Sequence, residues 1–171
     1  METNAPKIGK FALTYGAIAG VVSVLYSVML MSIDMLYDQN SGQQLVGVVA
    51  LVGAIFLGIF NFRKENGSLT LKQGLKIGTG GAVISGIVGI IFLVLLSNFI
   101  EPDYIANIVE IQREAMIEAN PTISNEQLDM IGEQTANFFW VGYPVILIVN
   151  ALLGLVIGLV GGLIFKKDAQ A

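Results

Sequence analysis

Four stretches of this chain contain no Asp, Glu, Lys or Arg: Phe11 to Ile33, Leu45 to Phe62, Ile77 to Ile100 and Phe138 to Phe165, of 23, 18, 24 and 28 residues. A helix of about 20 apolar residues crosses the hydrocarbon core of a bilayer, so each run is long enough to span. Lipid offers no water to unpaired peptide groups, and segments of this length satisfy their own backbone only as helices. Strands of a membrane barrel would be shorter and would alternate in polarity, which these runs do not. The sequence therefore predicts an all-α integral membrane protein, a single membrane domain over residues 1–171 with four transmembrane helices. Composition agrees: 54% of residues are hydrophobic and 13% charged, where soluble domains carry roughly a quarter charged. Lys7 and Lys10 ahead of an apolar run give the order of a secretory signal. The run is longer than such a signal's apolar region and no Ala-x-Ala follows it, so span one is expected to stay.

Sidedness follows from Lys and Arg, which collect on the cytoplasmic side. Lys7, Lys10, Arg63, Lys64, Lys72, Lys76, Lys166 and Lys167 flank the spans on one side, with Glu2, Glu65 and Asp168, a net of +5. The other side holds Arg113 against ten acidic residues, a net of −9. Both termini are expected on the cytoplasmic side. Tyr37, Tyr104, Trp140 and Tyr143 then fall near the outer interface, and Phe11, Tyr15, Phe62 and Phe165 near the inner one, as aromatic belts do.

The loop from Asp34 to Gln44 reads as a turn at Asn40, Ser41 and Gly42. Asn66-Gly67 offers a left-handed stop for helix two, and from Ser68 the chain is expected to re-enter helix, with Leu71 and Leu75 on one face and Lys72 and Lys76 on the next. Those two lysines suit either a lipid-specific basic site or plain anchoring. Glu101 to Asn137 is the one sizeable polar segment and reads as an extracytoplasmic helical hairpin. Ile105, Ile108, Val109, Gln112, Ala115 and Met116 form the stripe of its first helix, which stops before Asn120-Pro121. Ser124 and Gln127 have capping-box spacing and open a second helix expected to run on into span four, where Pro144 should introduce a kink. The hairpin's other face is acidic. Glu110, Glu114 and Glu118 recur every four residues, a spacing at which like charges repel; a solvated face, a partner surface or a cation site are the readings, and no calcium-loop pattern is present.

Small residues also recur at four-residue spacing within the spans: Ala12, Gly16 and Gly20; Ala50, Ala54 and Gly58; Gly74, Gly78, Ala82 and Gly86; Gly154, Gly158 and Gly162. Such ribbons let helices approach closely in lipid, within one bundle or between copies of the chain. Gly78-Thr79-Gly80-Gly81 lacks the Lys-Ser/Thr of a phosphate loop and belongs to this packing surface. Faint echoes between residues 16–20 and 81–86 leave a duplicated hairpin open. Polar residues inside the spans are few: Ser23, Tyr26, Ser27, Ser85 and Asn150. Asn150 shares a ribbon with Gly154 and reads as interhelical glue or as a special site.

No Cys and no His are present, which removes thiol chemistry and the commonest metal ligand and general base. No carboxylate lies inside a span, so intramembrane proteolysis and ion-coupled carriage lack their usual groups. A net charge of −4 argues against a nucleic-acid partner. The expectation is a protein without enzymatic activity or cofactor, acting as a scaffold or accessory protein toward another membrane protein or as a homo-oligomer. A small homo-oligomeric transporter or channel is the alternative.

The order of features resembles the domain of unknown function 4199 family. The resemblance is carried by Tyr15-Gly16, by Phe62-Arg63-Lys64-Glu65-Asn66-Gly67 running into Leu69-Thr70-Leu71-Lys72-Gln73-Gly74, by Pro102-Asp103-Tyr104, and by Leu163-Ile164-Phe165-Lys166-Lys167. Similar proteins often have Asn-Pro ahead of the last span, where this chain has Asn137-Phe138. The resemblance implies four spans in a bacterial cell membrane and no catalytic residues to carry over.

Overall fold

The computed structural model describes residues 6–38 and 41–167. These form six α-helices: α1 (Ile8–Ser32), α2 (Ser41–Asn66), α3 (Leu71–Leu95), α4 (Tyr104–Ala119), α5 (Asn125–Asn137) and α6 (Gly142–Ile164). A π-helical turn, Leu96–Ile100, extends α3, and a 3-10 turn, Phe139–Val141, leads into α6. Helices α1, α2, α3 with its π turn, and α6 are each long and apolar enough to cross a membrane. Glu2 and Asp168 of the charge count, and Asn40 of the expected turn, lie outside the described residues.

The helix ends have local causes. Helix α1 stops before Asp34, whose φ of 57° is a left-handed conformation that Asp tolerates better than most residues. Helix α2 stops at Gly67, with φ +74°, and Arg63 and Lys64 in its last turn face the negative end of the helix dipole. Thr70 then caps α3: its hydroxyl accepts from the Gln73 N–H at 3.3 Å while the Gln73 side chain accepts from the Thr70 N–H at 2.8 Å. This Thr-x-x-Gln box is a signal the reading from Ser68 passed over. Residues 68–70 are not helical, because Leu69 is paired antiparallel with Lys167 through backbone hydrogen bonds of 2.8 and 3.1 Å. The box at Ser124 and Gln127 starts α5 as its spacing predicts.

Three expectations need correction. Ser41 and Gly42 belong to α2 and not to a turn. Helix α5 does not run on into α6, since Phe138 leaves helical geometry at φ −109°, ψ 17° and the 3-10 turn intervenes. Pro144 is the third residue of α6; a first-turn position has no intrahelical acceptor to lose, so it marks a beginning and causes no kink.

Helix α3 is central, packing most extensively against α6 and α1, with α2 leaning on all three. The α3–α6 contact is an antiparallel zipper in which Gly74 faces Gly162, Gly78 faces Gly158, Ala82 faces Gly154 and Gly86 faces Asn150. A methyl added at Gly78 would fall on the Gly154 carbonyl oxygen and the Gly158 backbone, and one on Gly154 would lie 2.5 Å from the Ala82 Cβ. Helix α1 runs parallel to α3, setting Gly16 on Gly81 and Gly20 on Ser85 and Val88.

Burial is concentrated in one half of the bundle, with Leu96 and Ser97 of the π turn buried beyond it. Phe11, Ile55, Ile59, Phe62, Leu69 and Ile77 form a sealed core beside the basic segments, with Phe11 and Phe62 edge to face at 5.3 Å. None of residues 21–32, 45–50, 87–95 or 142–153 is buried. The small residues explain the division: they lie at 12–20, 74–86 and 154–162, where backbones touch, and bulkier Val, Leu, Ile and Met hold the helices apart beyond them.

Candidate functional site

The open half of the bundle meets the polar hairpin of α4 and α5. These helices pair antiparallel: Arg113 Nη1 reaches Asp129 Oδ1 at 2.7 Å, and the Thr135 hydroxyl donates to Gln112 Oε1 at 3.0 Å. Gly132 leaves room for Val109, and Leu128 is the buried residue of the pair. The expected stripe of α4 faces inward, with Ile105, Ile108, Val109, Gln112 and Met116 half-buried; Ala115 is exposed.

A polar clasp fixes the hairpin's base. The Tyr37 hydroxyl donates to Glu101 Oε1 at 3.1 Å and accepts from Asn107 Nδ2 at 3.0 Å, and its ring lies 5.9 Å from that of Tyr104. Burial raises the Tyr37 pKa above its ordinary 10.0; the bond from Asn107 opposes this, and the bond to Glu101 and the charges of Glu101 and Asp103 add to it. Burial, and then Tyr37, raise that of Tyr104. Tyr104 continues edge to face into Phe139 at 6.3 Å, and Phe139 into Tyr143 at 6.1 Å. The sequence marks Tyr37, Tyr104 and Tyr143 only as interfacial aromatics. No local pattern links Tyr37 to partners 64 and 70 residues away.

Two grooves flank α4. One, of about 430 Å³, opens between the splayed halves of α1 and α2 and is lined by Ser23, Tyr26, Ser27, Tyr37, Asp38 and Gln112 among others. The second, of about 390 Å³, is aromatic, with Tyr104, Phe138, Phe139 and Tyr143 in its wall and Thr135 beside them. Ile108 lines both, so α4 is the partition. Ser27 bonds the Ser23 carbonyl at 3.1 Å. The α1 hydroxyls thus gather on the groove, whereas Ser85 is buried where α1 meets α3.

Glu110, Glu114 and Glu118 are exposed along one face of α4. Among the described residues the ion pair is Arg113–Asp129, and no group of three acidic side chains is close enough to hold a metal ion. Asn150 is half-buried against Gly86, with its Nδ2 donating to Ile146 of its own helix at 2.9 Å. The hydrogen bond described for this amide stays within α6, and Gly86 opposite it has no side chain.

Gly16, Gly20, Gly78, Ala82, Gly86, Gly154, Gly158 and Gly162 all stand in the helix contacts described above. Helix α2 differs. Ala54 is buried, but Gly58 seats the Tyr15 ring, 3.0 Å from where a Cβ would be, rather than meeting a second ribbon. Asn61 Nδ2 donates to the hydroxyl of that same tyrosine. Gly81, which the sequence places on the packing surface with Gly78, receives Gly16, and Gly161, outside the four-residue ribbons, seats Ile59, 2.8 Å from its would-be Cβ.

No curated protein and no solved structure matches this chain. A family model does match, over residues 14–167, from one residue before Tyr15-Gly16 to the end of the Leu69–Lys167 pairing. The chain belongs to the family described as Protein of unknown function (DUF4199).

Proposed function

We propose that this protein is an accessory, interaction protein of the bacterial cytoplasmic membrane, with the polar hairpin outside, both termini inside and recognition carried by the hairpin. One observation carries the reading: Glu110, Glu114 and Glu118 are exposed along one face of α4, while Arg113, the hairpin's one basic residue, is engaged by Asp129 and Gln112 by Thr135. Carboxylates four residues apart on a helix repel by a few tenths of a kcal/mol per pair, a cost that a basic partner relieves. Their field steers such a partner and weakens with salt. The charge split between the two sides of the chain supports the sidedness. The reading needs no enzymatic chemistry, cofactor or nucleic acid.

The alternative, a small homo-oligomeric transporter, draws support from the hydroxyl-lined groove. Against it stands the sealed apolar half, where Phe11, Ile55, Ile59 and Phe62 close the bundle, together with spans free of ionisable residues near their centres. Co-purification from mild detergent decides between them. Replacing Glu110, Glu114 and Glu118 together by Gln should strip salt-sensitive partners, and Asn150→Leu should leave them bound. If the triple variant keeps its partners and Asn150→Leu folds but loses the deletion phenotype, the site lies in the membrane and the transport reading replaces this one.

A further inference from the structure

We infer that the basic end of the bundle holds a built site for the phosphate of an anionic phospholipid. A pocket of about 310 Å³ is lined by Phe60, Arg63, Lys64, Gly67 and Lys167. Arg63 and Lys64 come from the last turn of α2, and Lys167 from beyond α6. The Leu69–Lys167 backbone pair brings them together, and Leu69 is fully buried, so the pairing is anchored in the core. Phe60 packs on Phe165 at 5.7 Å to give the pocket an apolar wall. Glu65, the one acidic residue described at this end, lines a different pocket with Lys10, and none of the three cations is in an ion pair among the described residues.

Anchoring by positive charge alone requires basic residues near a span but not their convergence. Here two segments distant in sequence are tied so that three cations, a left-handed glycine and an aromatic wall share one concavity. Arg and Lys supply charge-assisted donors to phosphate oxygens, and basic pockets beside spanning helices suit anionic headgroups. Phe60 is partly exposed on α2, leaving an apolar surface on which acyl chains would lie. Lys72 and Lys76, the pair the sequence offers for a lipid site, are exposed and do not line this pocket. The inference is independent of the hairpin's role.

The test is native mass spectrometry of the full chain released from nanodiscs of equal phosphatidylglycerol and phosphatidylcholine. The wild type should retain phosphatidylglycerol over phosphatidylcholine by roughly tenfold, the value of one good charge-assisted contact. Lys167→Gln, which keeps the backbone pairing, and Arg63→Gln should abolish most of that preference. Arg63→Lys should keep it, and so should Lys72→Gln, which removes the same charge outside the pocket. Millimolar inorganic phosphate should not displace the lipid. Equal retention of both lipids, or equal losses in Lys72→Gln and Lys167→Gln, overturns the site in favour of diffuse charge. Displacement by inorganic phosphate overturns its assignment to lipid and points to a free anion. A Glu114→Gln control on the hairpin should retain lipid as wild type does, so failure of the recognition reading leaves this result distinct.

Discussion

Tyr37 shows how one side chain in a short loop organises a distant element. Its hydroxyl is both donor and acceptor, so it joins the loop after α1 to Glu101 at the end of the π turn and to Asn107 in the first turn of α4. Tyr37→Phe removes both bonds while keeping the ring against Tyr104. We predict a loss of about 1–2 kcal/mol, since each net hydrogen bond is worth about 1 kcal/mol, read as faster amide exchange in the first turns of α4 with α3 and α6 unchanged. The raised pKa values of Tyr37 and Tyr104 give the same contact a pH dependence. Their neutral forms are favoured in the folded protein, so the stabilisation is complete below the ordinary 10.0 and is lost as pH rises through the folded values. Ultraviolet difference titration of the wild type against Tyr37→Phe and Tyr104→Phe should therefore assign each of these two residues a phenolate formed above the ordinary 10.0. Titration of Tyr37 and Tyr104 at the ordinary value would mean that the clasp is not formed.

At the scale of elements, the α3–α6 zipper is the feature most readable in advance, because four-residue spacing of Gly and Ala reports helix contact directly. Which ribbon meets which is not readable. Gly74, Gly78, Ala82 and Gly86 find their partners on α6, whereas Gly58 of α2 meets the Tyr15 ring and no second ribbon. The difference rests on crossing angle and depth, which no single helix encodes. The start of α5 was legible because Ser124 and Gln127 carry a box with a physical mechanism. The equal box at Thr70 was masked by the apolar pattern on either side of it, and the π turn at Leu96–Ile100 leaves no pattern at all. Overpacking a close contact costs about 1–3 kcal/mol. We predict that Gly154→Leu and Gly158→Leu lower the melting temperature in detergent markedly, while Val156→Leu and Val160→Leu, at exposed positions on the same helix, change it little. Gly47→Ala, where an added methyl meets nothing within 4 Å, should be as mild. Similar melting of all five variants would remove the zipper from the account.

At the scale of the whole molecule, the chain is sealed at its basic end and splayed at its acidic end. The small residues that close the first half and the bulky ones that open the second are visible in the sequence, but the grooves they leave depend on α4 lying between them. The acidic face of the candidate site was legible as a repeat of Glu every four residues. The clasp and the basic pocket were not, since each joins segments far apart in the chain. The proposed recognition stands or falls with the side of the membrane on which that acidic face lies. Because the chain contains no Cys, single cysteines report sidedness without background. Glu114→Cys on α4 and Lys64→Cys at the end of α2 both replace exposed residues, and a membrane-impermeant maleimide applied to spheroplasts and then to lysed cells reads each one. The account predicts labelling of Glu114→Cys in intact spheroplasts and of Lys64→Cys only after lysis; labelling in the reverse order would place the acidic hairpin in the cytoplasm and contradict it.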